Sequence, residues 1–302
     1  MEAYPLVSGI ITTHKRSADI VERALKSILQ QTYDKIEIIV VDDSPADYAE
    51  RKTVEETVLL YKDRGVRYIP HEKSRGACAA RNTGLAAASG SFVGFLDDDD
   101  EWEPTKVEEM LPAFSSEDIA LVYSDRRVVY ETPGPAVMKE KKYYGGKVFD
   151  RLIIENFIGN TSNPLLRKNA LLDIGGFDVL MQSAQDYDVW LRLSEQYSVA
   201  FVKKQLSVYY FHAGEQITRN PGRKIAGYER LNEKNAAYLD AHRIAKWNRN
   251  KVIIPYYAME RNLGKAIELW IGLIKLSPES VYGNLKVFGG ILKNYFGSFH
   301  RA

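Results

Sequence analysis

The chain has 302 residues, 45% hydrophobic and 27% charged, with 41 basic and 40 acidic side chains and a formal net charge of +1. That length allows one large domain or one domain with an appendage, the composition is that of an ordinary globular protein, and the charge balance argues against bulk binding to nucleic acid. A single cysteine, Cys78, excludes an internal disulfide, and no stretch approaches the roughly 18 apolar residues of a membrane span. The N-terminus lacks the basic region and apolar core of a signal peptide, so a cytoplasmic location is expected.

The first half alternates strand and helix. Leu6–Ile11 reads as a strand. Ser17 is placed to cap a helix in which Ile20, Val21, Ala24, Leu25, Ile28 and Leu29 recur at the spacing of one buried face. Ile36–Val41 is a second strand, and Val54, Val58, Leu59 and Tyr61 mark a second helix. Val66–Ile69 is a short third strand. Cys78–Ala88 is an alanine-rich helix with Cys78 in the core, and Ser91–Leu96 is the next strand. Such alternation predicts a mainly parallel sheet covered by helices on both faces. Neither G-x-G-x-x-G after the first strand nor G-x-x-x-x-G-K-[ST] occurs.

From about residue 119 the pattern changes. Ile119–Ser124 and Arg126–Glu131 read as two strands, followed by a Pro/Gly-bearing loop, Thr132 to Gly146. Its Tyr143-Tyr144-Gly145-Gly146 end is expected to be a mobile lid. A helix is predicted over Asp188–Tyr197, and strands over Val199–Val202 and Leu206–Phe211. Everything after about Ile225 reads as helical.

Three strand ends carry polar tips. The run to Leu96 ends in Asp97-Asp98-Asp99-Asp100, the run to Val41 in Asp42-Asp43, and the run to Ile11 in Thr12-Thr13-His14-Lys15. Crowded carboxylates raise one another's pKa unless positive charge sits among them. Oxygen-only ligands suit a hard divalent ion, Mg²⁺ or Mn²⁺. Ligands of open α/β sheets bind at the carboxyl ends of the strands. The three tips are therefore expected to form one cleft.

The landmarks run V-S-G-I-I-T-T-H-K-R at 7–16, Q-T-Y at 31–33, I-I-V-V-D-D-S at 38–44 and S-R-G-A-C-A-A-R-N-T-G at 74–84. They continue with F-L-D-D-D-D-E-W-E-P at 95–104, G-G-F-D at 175–178 and Q-D-Y-D-V-W-L-R at 185–192. In this order and spacing the chain resembles a family 2 glycosyltransferase of the GT-A fold, roughly over residues 5–215. The resemblance implies transfer of a sugar from a nucleotide-sugar with inversion, with UDP as the favoured nucleotide. The acceptor is a glycan or a lipid-linked species, and the setting is surface polysaccharide synthesis. The expected layout is a catalytic domain at 1–224, with a nucleotide-binding half at 1–118 and an acceptor-side half at 119–224. A helical region at 225–302 follows.

By the same resemblance Thr12 contacts the nucleotide, His14 stacks on the base, and Asp43 accepts from the uracil edge. Asp97-Asp98-Asp99 matches D-x-D, with Asp99 as the main metal ligand and Asp97 or Asp98 reaching ribose, sugar or metal. Asp100 is expected to cap the following turn. Arg75 and Arg81 either bind phosphate or neutralise the acids. Asp186 aligns with the family's general base, although the glutamate that usually precedes it is Gln185 here; Asp188 reads as a first-turn helix acid. His212 is a weaker match for a contact to diphosphate or metal, and Asn160, Thr161 and Ser162 either line the sugar pocket or form a plain turn.

Two other readings stand beside this one. A sugar-1-phosphate nucleotidyltransferase would open with a glycine-rich basic loop, which Thr12-Thr13-His14-Lys15-Arg16 is not. A non-catalytic nucleotide-sugar-binding assembly protein need not keep both Asp99 and Asp186. At the C-terminus, Val281, Leu285, Phe288, Ile291, Leu292, Tyr295, Phe296 and Phe299 are expected on one helix face. Residues 251–302 hold seven Lys/Arg against three Asp/Glu. That face packs on the protein or on a second subunit, or lies on an anionic membrane.

Overall fold

A computed structural model describes residues 4–130, 142–211 and 220–297. The chain divides into two compact units. The first comprises residues 1–149, 157–179 and 189–213, the second 150–156, 180–188 and 214–302.

In chain order the first unit begins β1 (Val7–Thr13), α1 (Ala18–Leu29), β2 (Ile36–Asp42), α2 (Arg51–Leu59), β3 (Val66–Pro70), α3 (Ala77–Ala87) and β4 (Phe92–Asp97). It continues with β5 (Glu101–Trp102), α4 (Lys106–Met110) and β6 (Ile119–Tyr130). Next come α5 (Phe149–Leu152), which from Asp150 on belongs to the second unit, β7 (Leu165–Arg167), α6 (Lys168–Asp173), α7 (Gln185–Gln196), whose residues up to Asp188 belong to the second unit, and β8 (Ser198–Phe211). One eight-stranded sheet has the order β3-β2-β1-β4-β7-β6-β8-β5. The run β3-β2-β1-β4 is parallel. The sheet as a whole is mixed, because β7 lies antiparallel between β4 and β6, and β5 antiparallel on β8. Strands as short as Leu165–Arg167 and Glu101–Trp102 leave too little alternation to be seen in sequence.

Strand alternation sends successive side chains to opposite faces. Val7, Ile11, Ile38, Val40, Phe92 and Leu96 point to one face, under Val21, Ala24, Leu25 and Ile28 of α1 and Val54 and Val58 of α2. Ile10 and Val41 face α3 on the other side. A Cβ on Gly84 would come within 2.4 Å of the Ile10 Cγ2, so only glycine lets α3 lie this close. Overpacking there would cost about 1–3 kcal/mol.

Two pairs of expected strands are single strands. β6 runs unbroken through Asp125 with register shifts around it, and β8 runs through the polar Lys203-Lys204-Gln205. Bulges carry the chain across the polar interruptions that looked like strand ends. The 143–146 segment is anchored: the Tyr144 N–H donates to the Tyr123 hydroxyl at 2.7 Å, and the Gly146 N–H to the Val199 carbonyl at 2.8 Å. Tyr143 also stacks on Tyr123. The lid expected at this end is thus held to the sheet by these contacts, and the rest of the loop, 132–141, lies outside the described residues.

The second unit is helical: α8 (Pro221–Lys234), α9 (Ala236–Ala241), α10 (Arg243–Met259), α11 (Leu263–Leu276) and α12 (Val281–Gly297). The Asn220 side chain accepts from the Arg223 N–H at 2.9 Å and Pro221 opens the first turn, so α8 starts a few residues before the expected onset. Ile253, Ile254, Tyr257, Ala258, Ala266, Leu273 and Ile291 form its core. The face expected on the last helix is split. Phe288, Ile291 and Tyr295 pack inward, whereas Val281, Leu285, Leu292 and Phe296 are exposed; Phe299 lies outside the described residues. No described helix is long and apolar enough to cross a membrane.

Candidate active site

Parallel register sets three strand ends side by side, with Thr13 opposite Asp42 and Thr12 opposite Asp97. The polar tips of β1, β2 and β4 therefore form one rim. Thr12 is half-buried there and His14 is exposed. The His14 Nδ1 lies 2.8 Å from the Asp43 carbonyl oxygen, which only accepts, so Nδ1 carries the proton. Lys15 takes a left-handed φ of 52°, and its N–H donates to the Ser44 hydroxyl.

Asp43 is buried and saturated. Its carboxylate accepts from the Arg75 N–H at 2.7 Å, the Gly76 N–H at 2.8 Å, the Ser74 hydroxyl at 2.9 Å and the His71 Nδ1–H at 2.7 Å. Burial pushes its pKa up, but these donors, the Arg75 N–H first, hold the carboxyl below the usual range. Asp42 is spent likewise on the Tyr68 hydroxyl and the Ser44 N–H. His71 was not foreseen from sequence. It is buried, and its Nε2 meets the Thr83 hydroxyl of α3 at 2.9 Å. An isolated histidine after a short strand carries no sequence signal of its own. The side chain of Arg75 is exposed; only its backbone joins the network.

The four acids after β4 divide into two kinds. Asp98 is buried, with its carboxylate on the Arg16 Nε at 3.0 Å and the His14 N–H at 3.4 Å. Burial first, then the neighbouring Asp99, pushes its pKa up to about 7 against the pull of Arg16. Asp100 is buried too. It accepts from the Ser162 hydroxyl at 2.5 Å, the Asn160 amide at 2.8 Å and the Tyr210 N–H at 3.4 Å, so it is held from within rather than capping the next turn. Burial, then Asp97, raises its pKa well above the ordinary value. Asp97 and Asp99 keep side-chain exposures of 31% and 17%. Each faces a guanidinium, Arg81 at 2.8 Å from Asp97 and Arg16 at 2.8 Å from Asp99. Arg16 had no assigned role in the sequence reading, because a lone arginine in a strand-end loop is unremarkable. Asn160 and Ser162 serve the acids, the latter also accepting from the Asp97 N–H at 3.1 Å.

Among the described residues no group of three or more metal-ligating side chains is preassembled. Asp97 and Asp99 nonetheless suit a hard cation. Both are oxygen donors with open surface, and Mg²⁺-type ions are commonly held by one or two carboxylates together with substrate phosphates. Asp98 does not suit it, being buried and engaged.

A distant motif is tied to this rim. The Asn82 amide donates to the Phe177 carbonyl at 2.8 Å and accepts from the Phe177 N–H at 2.9 Å. Gly176, at φ 67°, leaves room for it, since a Cβ there would meet the Asn82 Oδ1 at 2.7 Å. Phe177 packs edge-on against Phe95 of β4.

Asp186 belongs to the second unit. It lies half-buried in the first turn of α7, which begins at Gln185 rather than at Asp188. Its carboxylate accepts from the Tyr187 N–H at 2.7 Å. Ala184 just before it has φ 55°, a strained value for a side-chain-bearing residue. The Gln185 amide donates to the Met181 carbonyl at 3.0 Å, a bond a glutamate carboxylate cannot make. Asp188 is buried and ion-paired to Lys234. His212 lies outside the described residues.

The family model described as "Glycosyl transferase family 2" matches residues 8–177. The candidate colanic acid biosynthesis glycosyl transferase WcaA of Escherichia coli K12 is 30% identical over 249 residues, 80% of this chain and 85% of that protein. The E. coli UDP-Glc:alpha-D-GlcNAc-diphosphoundecaprenol beta-1,3-glucosyltransferase WfgD is 29% identical over 199 residues, 65% of this chain and 73% of that one. The structure of S. aureus TarS 1-349 with UDP-GlcNAc superposes with a TM-score of 0.66 at 16% identity, covering 96% of this chain and 89% of that one. A mannosyltransferase from Pyrobaculum calidifontis, in complex with GDP-Man and Mn²⁺, superposes with a TM-score of 0.60 at 17% identity, covering 97% and 88%. The fold is of the GT-A type with a C-terminal helical region. The chain is a glycosyltransferase and belongs to glycosyl transferase family 2.

Proposed function

We propose that the protein is an inverting, metal-dependent transferase that takes its sugar from a UDP-sugar. It passes the sugar to a glycan or lipid-linked acceptor in the synthesis of a surface polysaccharide, on the cytoplasmic side. The catalytic domain is residues 1–224 and the helical region 225–302. The carrying observation is the division of the acid quartet: Asp97, opposite Thr12, and Asp99 stay partly open, while Asp98 and Asp100 are buried. The relatives support the setting, since WcaA is named for colanic acid biosynthesis and WfgD for a diphosphoundecaprenol-linked acceptor.

In this reading His14 offers its exposed ring to the nucleobase, and Thr12 bonds the nucleoside. A uracil N3–H that reaches Asp43 displaces one of its four donors, the exposed Ser74 hydroxyl being the easiest to move. Asp99, with Asp97, would hold the divalent ion, which when bound supplies positive charge to the departing diphosphate. His212 is carried as a further contact from the family resemblance alone. Arg81, with Arg16 and Arg75, supplies guanidinium donors of the fork geometry that phosphate takes. Asp186 takes the proton of the acceptor hydroxyl as that oxygen bonds the anomeric carbon. The bond from that carbon to the diphosphate breaks on the opposite face, inverting the centre.

The test is Asp186→Asn, assayed against a panel of nucleotide-sugars by nucleoside diphosphate release. Donor binding should persist, and transfer should fall by about 10²–10⁴. Near-native turnover would move the base elsewhere, and not to Asp188, whose carboxylate is buried on Lys234.

A further inference from the structure

Helix α12 has two apolar faces, one packed into the core of its unit and one exposed. Val287, Phe288, Ile291 and Tyr295 pack into the core of the second unit. Val281, Tyr282, Leu285, Leu292 and Phe296 are exposed, Tyr282 at 81% and Phe296 at 59%. At about 100° of turn per residue these five fall in one sector about 100° wide, beside the inward face. Lys286 and Lys293 follow at the far edge of that sector, both exposed. The helix carries no Asp or Glu at all.

We propose that this stripe docks on an anionic lipid bilayer, with α12 lying in the interfacial plane. Its apolar sector enters the boundary between headgroups and acyl chains, and Lys286 and Lys293 lie along the headgroup phosphates. The occupant follows from charge. Two lysines border the stripe, the helix itself has no carboxylate to offset them, and residues 251–302 carry seven basic against three acidic side chains. Over its 17 described residues this helix is neither long nor apolar enough to cross a membrane. A second copy fits poorly. An antiparallel two-fold contact sets the same surface against itself and brings the lysine edges together, with no acid on the helix to answer them. The inference rests on α12 alone and stands whether or not the donor assignment holds.

The full chain is sedimented with phosphatidylcholine vesicles containing rising fractions of phosphatidylglycerol. Partition should rise with the anionic fraction and fall with salt, since charges are screened over about 10 Å at 0.1 M. Lys286→Gln and Lys293→Gln should each weaken binding to anionic vesicles by about fivefold. The pair Val281→Glu and Leu285→Glu should abolish it with an unchanged melting temperature, because both side chains are exposed. Absence of binding to vesicles with equal parts of the two lipids overturns the proposal. So does binding that neither the lysine nor the glutamate variants alter. A dimer in analytical ultracentrifugation that Leu285→Glu dissolves, without vesicle binding, makes the second copy the occupant instead.

Discussion

At the end of β2, Asp42 and Asp43 are consumed by the protein. Tyr68 and Ser44 hold the first, and His71, Ser74, Arg75 and Gly76 hold the second. At the end of β4, Asp97 and Asp99 meet guanidiniums and keep part of their surface. The two runs look alike in sequence, an apolar strand ending in acids. What separates them is the loop that comes next to each. Residues 71–76 turn their donors onto Asp43, whereas Asp97 and Asp99 meet the guanidiniums of Arg81 from α3 and Arg16 from the β1 loop. One cluster builds the rim and the other is available for chemistry.

The largest expected effect falls on the available side. Asp99→Asn should lower transfer by about 10²-fold, the several kcal/mol that a bound cation contributes to charge neutralisation. The melting temperature should barely change, because a partly exposed carboxylate contributes little to stability. A mutant that loses stability but keeps metal-dependent UDP affinity by calorimetry would invert the comparison. Next comes the building side. Asp43→Asn should destabilise the fold by about 2–3 kcal/mol at pH 7, since several donors lose a charged acceptor. The folded carboxyl is held below its usual range, so its stabilising effect is present above the unfolded value of about 3.9 and is lost as pH falls through the folded value. Denaturant curves of wild type and mutant should therefore converge in acid. The smallest effect is Thr83→Val, about 1 kcal/mol from an unpartnered His71 nitrogen. In the Asp43→Asn background that cost should shrink, because the two changes break one network.

Much of this was readable from the chain. The β1–β4 alternation, the three polar tips and their common rim all follow from period-2 strands ending in polar residues. Less visible were the features decided by partners far away in sequence. Nothing around Arg16 announces that it bridges Asp98 and Asp99, more than eighty residues on. The polar breaks in β6 and β8 looked like strand ends because bulges leave no pattern of their own. The last helix was read as one-faced because its two apolar sectors adjoin. Only the packing of Ile291 inward separates the buried sector from the open one.

The Asn82–Phe177 pair limits how this chain can be cut and rejoined. A side-chain amide here copies a backbone peptide, donating to and accepting from Phe177 as a neighbouring strand would. Two segments ninety-five positions apart are thus tied into one structural unit. A chimera that imports the 74–84 helix start without its own Gly-Gly-Phe turn leaves both the amide and the turn without a mate. Grafts that keep the two together should transplant cleanly, so junctions in a designed chimera belong before residue 74 and after residue 178, not between them.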